Sequence, residues 1–241
     1  MKRFTAHQYT FLIATLLLSS CSSKPQAGAT NSQPNDQIVS STPPFQTKEP
    51  QHYKAIRTIT FTDPSGTAII RKTKIARSEV FRREETWNSD SGTVVFLESD
   101  SGRFVLLPNA KIYSEITDAS GIDPTEFESS PERLLHPEAL STTYQKLGSE
   151  VVSGRKTTKY RVAVNTATGA SVSASDTLIW VDESLGMPVK SETTASDGSH
   201  VVMELSNIIL EVDKNLFQIP EDYVKVKATA LRQRLSQKQV R

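Results

Sequence analysis

From Tyr53 to Lys227 apolar and polar residues alternate in short runs broken by turn signals, the pattern of antiparallel β-structure. Runs over 53–62, 67–77, 79–88, 94–97, 104–107 and 111–116 predict six strands. Runs over 144–152, 156–165, 176–183, 189–195 and 199–212 predict five more. The breaks are chemically specific. Asp63-Pro64-Ser65-Gly66 is a turn tetrapeptide with proline in second place, and Asp197-Gly198 is a hairpin pair. Ser-Asp-Ser-Gly occurs at Ser89–Gly92 and again at Ser99–Gly102. The second copy lacks further acidic positions nearby, so the repeat reads as hairpin chemistry and not as a calcium loop. The last run contains a slip. Val201, Met203 and Leu205 share one parity and Ile208, Leu210 and Val212 the other, so a bulge near Ser206-Asn207 is needed to return both sets to one side.

Several strands are apolar at consecutive positions: Val94 to Leu97, Phe104 to Leu107 and Leu178 to Val181. Both faces of that region must be covered. The cover is either an apolar cavity holding a ligand or a sandwich-like core closed on itself. Parity alone does not choose the face. As one alternate set for a cavity lining we take Val95, Leu97, Phe104, Leu106, Leu178 and Trp180. Between Thr117 and Thr143 the texture changes: Asp118, Asp123, Glu126, Glu128 and Glu132 crowd the segment, and Ser130-Pro131-Glu132 predicts a helix start, with Pro137 ending or restarting it. This predicts one or two short helices over one side of the sheet.

The amino-terminal apolar run is of a different kind. Lys2 and Arg3 precede Phe11–Leu18, and Ser19 and Ser20 follow: a charged region, a short apolar region and a small-residue cleavage zone. The run is too short to span about 30 Å of hydrocarbon. Leu18-Ser19-Ser20-Cys21 resembles the bacterial lipobox, which implies cleavage before Cys21 and diacylglycerol attachment to its thiol. From Ser22 to Gln51, Pro25, Pro34, Pro43, Pro44 and Pro50 stand among Ser, Thr, Asn and Gln, a composition with too little apolar content to offset its ordering entropy. The expected organisation is a signal at 1–20, a lipidated Cys21 with a tether to 51, a folded domain at 52–227 and a basic tail at 228–241. In that tail Leu231 and Leu235 are spaced for a short helix among Arg232, Arg234, Lys238 and Arg241, which reads as a frayed tail or as a contact for anionic headgroups or a partner.

Composition narrows the chemistry. The 241 residues are 37% hydrophobic and 23% charged, an ordinary globular balance. Cys21 is the sole cysteine, so no internal disulfide or Cys-rich zinc site forms, and lipidation would leave no free thiol. The net charge of +1 becomes −1 once the two basic signal residues are gone, which removes the basis for nucleic-acid binding. There is no nucleophile elbow and no paired-histidine zinc helix. His7, His52, His136 and His200 are not at ligand spacing. Gly148 to Lys156 superficially matches a phosphate loop, but it has five residues between its glycines and no helix pattern after it. No catalytic residues, metal ligands or cofactor site are expected, and the chain is read as non-enzymatic.

Four motifs then form a set: Gly154-Arg155-Lys156-Thr157-Thr158-Lys159-Tyr160-Arg161-Val162, Leu178-Ile179-Trp180-Val181-Asp182, Leu185-Gly186-Met187-Pro188-Val189-Lys190 and Leu216-Phe217-Gln218-Ile219-Pro220-Glu221-Asp222-Tyr223. Together they resemble the LolA/LolB-like superfamily of bacterial envelope lipid and lipoprotein carriers, in particular its uncharacterised lipoprotein branch. The resemblance implies a mainly β fold: a single antiparallel sheet of about eleven strands, curled into an unclosed barrel, with one to three short helices on its concave side. It also implies an apolar concave cavity for an acyl chain, lipid or lipopeptide. Ser22 in place of Asp after the lipidated cysteine resembles the sorting signal for the outer membrane, which implies a lipid-anchored protein on the periplasmic side. A structural or interaction lipoprotein without a small-molecule ligand is the other expectation.

Overall fold

A computed structural model of the chain describes residues 39–45, 49–88, 92–117, 141–168 and 171–236. The lipobox, the first part of the tether, the helix expected from Ser130 and the end of the tail lie outside the described residues. Eleven strands of four or more residues are present: β2 (His52–Thr62), β3 (Ala68–Ser78), β4 (Phe81–Asn88), β5 (Gly92–Ser99), β6 (Gly102–Leu107), β7 (Ile112–Glu115), β8 (Ser141–Val152), β9 (Arg155–Thr168), β10 (Ser171–Asp182), β11 (Pro188–Thr194) and β12 (His200–Ile209). Two-residue pieces, β1 (Val39–Ser40) and β13 (Val224–Lys225), flank them, and the described α-helix, α1, is Ala228–Ser236.

All thirteen strands form one sheet, in the order β1-β8-β9-β10-β11-β12-β2-β3-β4-β5-β6-β7-β13. The pairs are antiparallel except β13, which runs parallel to β7. The sheet is therefore two meanders, β2–β7 and β8–β12, joined side by side. The seam is β12 against β2, where Met203 lies opposite Ile59 and Leu205 opposite Arg57. The sheet does not close into a barrel, because β1 and β13 end it without pairing.

The turns follow their sequence signals. Asp63 Oδ1 accepts from the amides of Ser65 (2.8 Å) and Thr67 (2.9 Å), and Gly66 takes φ +88°. Ser153 and Gly154, at φ +48° and +77°, make the β8–β9 hairpin, so Gly148 to Lys156 is strand–turn–strand and forms no phosphate cradle. The bulge expected near Ser206-Asn207 is present. The β12–β2 register shifts between Ser206 and Ile209, Asn207 stands at φ +53°, and Ile208 packs with Met203 and Leu205. Leu210 and Val212 do not follow. Leu210 is exposed beyond the strand end, and Val212 packs against the opposite face.

The tether ends earlier than its composition predicts. Within the segment read as unfolded to residue 51, β1 adds to β8 with Val39 opposite Gln145, and Phe45 stacks on Tyr144 and Tyr160 at 5.8 and 5.2 Å. Glu49 is buried, with Oε2 3.2 Å from Arg77 and 3.0 Å from Arg82. Arg77 and Arg82 face each other across β3 and β4. A carboxylate between them offsets like-charge repulsion, and this ties the strap to the sheet.

Candidate functional site

Register assigns the faces. Following opposed pairs across the sheet, one face carries Tyr144, Val162, Ile179, Ser191, Met203, Ile59, Arg71, Thr86, Val94 and their alternates. We call this the inner face, because α1 lies on it: Leu231 is fully buried against Phe96, Val105, Leu107 and Ile116, with Leu235 beside them. Two further apolar clusters share that face. One joins Tyr53, Ala55, Ile75, Val189, Met203 and Leu205, with Met187 from the β10–β11 turn. The other joins Tyr144, Tyr160, Val162, Val164, Ile179 and Val181, with Phe45 packed on it.

Between the apolar clusters lies a buried polar belt. Arg57 Nη2 donates to Glu84 Oε2 at 2.8 Å, both side chains being almost wholly buried. Glu84 stands opposite Ile75 on one side and Phe96 on the other, at the junction of two clusters. Its second oxygen, Oε1, has no hydrogen-bond partner among the described residues. Burial holds the Glu84 carboxyl above its ordinary range, against the pull of Arg57. Burial, with Glu49 nearby, likewise pushes the Tyr53 hydroxyl well above its ordinary value. Beside them Thr73 and Thr86 share a hydrogen bond of 3.1 Å. The belt thus holds an unmatched acceptor inside an otherwise apolar packing.

The six residues taken as a cavity lining all lie on the other, outer face. Val95, Leu97, Phe104 and Leu106 come together there, buried under Phe217 and flanked by Phe81, Tyr113 and Ile219. Leu178 is half-buried. Trp180 lies farther along, held between the Lys159 and Lys190 ammonium groups at 4.6 and 4.4 Å, its indole N–H donating to Glu150 Oε2 at 2.7 Å. The alternate set, with Phe96, Val105, Ile179 and Val181, faces inward. Both sets are apolar on β5 and β6 because the chain's own carboxy-terminal segments cover both sides: 212–223 outside and α1 inside. Leu231 and Leu235 gave the only sequence signal of the inner cover, and their partners are more than a hundred residues away. Arg57, Glu84 and Glu49 gave no signal of burial at all.

The resemblance motifs act as turn and packing chemistry. Asp182 Oδ1 accepts from Ser184 N and Oγ at 2.8 and 2.6 Å and from Leu185 N at 2.8 Å, while Arg155 pairs with the other oxygen. Gly186 takes φ +69° to close that turn. Phe217, Ile219 and Tyr223 are the packing residues of the last motif. Among the described residues no three His, Cys, Asp or Glu side chains gather as metal ligands, and no helix is long and apolar enough to cross a membrane.

No protein-family model and no curated protein matches this chain. Solved structures do. A crystal structure of MucB superposes with a TM-score of 0.43 at 12% identity over 73% of this chain, which spans 60% of that MucB chain. The MucA/MucB complex of Pseudomonas aeruginosa gives 0.40 at 16% identity, over 73% of this chain and 59% of that one. A LolA superfamily protein from Nitrosomonas europaea gives 0.34 at 12% identity, over 74% of this chain and 94% of that one. Likeness at this level concerns the fold, and function has to be argued from the site.

Proposed function

We propose that this chain is a non-enzymatic, lipid-anchored protein of the bacterial envelope that holds an acyl chain, lipid or lipopeptide on the inner face of its open sheet. The run of apolar clusters along that face carries the reading. Helix α1 lies over the β5–β7 end, while the apolar clusters of β2–β3 and β8–β12 have no second sheet or helix against them among the described residues. Apolar clusters around one polar belt on a single sheet face have the make-up of a ligand site: mostly hydrophobic walls with few, placed polar groups. Cys21 in its lipobox supplies the anchor, and Ser22 favours the outer membrane. The test is native mass spectrometry of the purified full-length protein, followed by titration with a fluorescent acyl probe. Bound acyl species, and a probe signal displaced by a lipopeptide, are expected. A ligand-free protein that leaves probe fluorescence unchanged would overturn the reading. For the anchor, Cys21→Ser is expected to move the protein out of the detergent phase and to abolish labelling by a palmitate analogue.

A second reading, an interaction lipoprotein without a small ligand, is favoured by the sheet edge. Strand β8 spans twelve residues, of which β1 pairs with Tyr144 and Gln145. Leu147 and Val151, farther along that edge strand, are 41% and 73% exposed. Such an edge accepts an added strand from another chain. In-cell crosslinking from position 147 or 151 separates the two readings: a discrete protein adduct with no bound acyl species selects the second.

A further inference from the structure

A concavity lies on the outer face. A groove of about 320 Å³ runs across β2, β3 and β4, between the β12 bulge and the turn at Lys214–Phe217. Two adjacent cross-strand rows form its floor. In the first, Ile209, Lys54, Ala76 and Arg83 stand opposite one another in turn; in the second, Ile56, Lys74 and Glu85 do. Ala76 makes the depth, since a methyl sits there between longer neighbours. Leu216 walls one end, and its carbonyl accepts from Arg83 Nη1 at 3.4 Å. At the other end the bulge lifts β12, with Asn207 lining the groove in a left-handed conformation.

The charges on this groove do not balance. Lys54, Lys74 and Arg83 surround it with Glu85 as the one acid in its lining. Glu85 is already shared, with Lys74 Nζ at 2.9 Å and Arg83 Nη2 at 3.4 Å. Lys54 enters no ion pair among the described residues, and it stands between the apolar side chains of Ile209 and Ala76. An apolar trough with surplus positive charge on its floor is complementary to an amphiphile with an anionic head. The volume is at the small end of ligand sites, about 300–1,000 Å³, so it fits one chain and not a diacyl lipid.

We propose that this groove binds a single-chain amphiphile with an anionic head, carboxylate or phosphate. The tail lies over Ile56 and Ala76 against Leu216, and the head rests at Lys54 and Lys74. Ala55 and Ile75 of the inner cluster also border the groove, but the residues that carry the proposal, Lys54, Ile56, Lys74 and Ala76, stand at the outward positions of β2 and β3.

The experiment is calorimetric titration of the full-length protein with laurate, dodecyl phosphate and uncharged monolaurin, each below its micelle concentration, on wild type, Lys54→Glu and Ala76→Met. Both anions are expected to bind, with monolaurin weaker by about ten-fold, the scale of one charge-assisted contact. Whichever anion binds tighter names the head group, and either supports the site. Lys54→Glu, a substitution at a partly exposed strand position, is expected to remove one anion site per chain while leaving the melting temperature in place. Ala76→Met is expected to remove that site for tail reasons, with monolaurin lost too. Should Ala76→Met fail to fold, Lys54→Glu still decides. Anion binding with unchanged stoichiometry and affinity in Lys54→Glu would overturn the proposal, as would equal affinity for laurate and monolaurin, or no binding of either anion.

Discussion

Asp182 shows how much one side chain organises here. Its carboxylate receives two amides, one hydroxyl and the Arg155 guanidinium, and so closes the β10–β11 turn that positions Met187 in the inner cluster. Burial pushes its pKa up, but Arg155 and the hydrogen bonds from Ser184 and Leu185 outweigh this and hold it below the ordinary range. A depressed folded-state pKa contributes stability that is present above the unfolded value, about 3.9, and lost as pH falls through the lower folded value. Asp182→Asn is therefore expected to lower stability by about 2 kcal/mol near neutral pH, a shift of about 4–8 °C in melting temperature for a domain of this size. The gap to wild type should narrow below about pH 4. Thermal melts across pH check this, and a gap constant into acid would refute the assignment. Asn207 makes the second residue-scale case. It holds φ +53° at the bulge, a conformation that asparagine and glycine tolerate and β-branched residues do not. Asn207→Gly should be close to neutral in a denaturant titration, and Asn207→Val should cost about 1–2 kcal/mol.

Among elements, α1 has the plainest energetics. Leu231 is fully buried, seated on Phe96, Val105 and Leu107. Leu231→Ala is expected to cost about 3 kcal/mol, within the range for large-to-small core changes. It should also raise the fluorescence of an apolar-surface dye as the inner faces of β5 and β6 lose their cover; a variant with unchanged melting and dye signal would mean the helix only rests on the sheet. The eleven longer strands were legible from alternation and turn chemistry, because a strand half-facing solvent writes its period into the chain. What escaped was every feature that depends on a distant partner. Val39 and Val224 sit in two-residue strands too short to carry a period. Leu231 and Leu235 announced a helix but not the surface it covers. Val95 and Phe96 are both apolar, so period two leaves open which of them points inward; Phe96 does, and Val95 lies on the outer face. The β12–β2 seam was hidden for the same reason: a run of alternating residues does not name its neighbour.

At the scale of the whole molecule, that seam explains why the domain begins before its first long strand. β2 lies in the middle of the sheet, between β12 and β3, so the chain must reach the centre from the β8 edge, where β1 is paired. On the way, the described residues Phe45 and Glu49 pack on the inner face, Phe45 on the Tyr144–Tyr160 pair and Glu49 between Arg77 and Arg82. The strap's proline-rich composition reads as unfolded because the residues that Phe45 and Glu49 pack against lie far along the sequence. If the strap belongs to the domain, a chain starting at Gln37, where the compact unit begins, should melt as the full-length protein does. A chain starting at His52 should not. It would leave Arg77 facing Arg82 with no carboxylate between them and Tyr144 uncovered. Removing one partner of a buried ion pair costs about 3–5 kcal/mol. The two arginines are each about a fifth exposed, so water takes up part of the loss, and about 2–3 kcal/mol is the fitting figure. That corresponds to a fall of about 4–12 °C in melting temperature. Glu49→Gln in the chain starting at Gln37 isolates the charge contribution, and it should account for most of the fall while Phe45→Ala accounts for the remainder. Equal melting of the two shortened chains would put the strap outside the folded unit and return the domain boundary to residue 52.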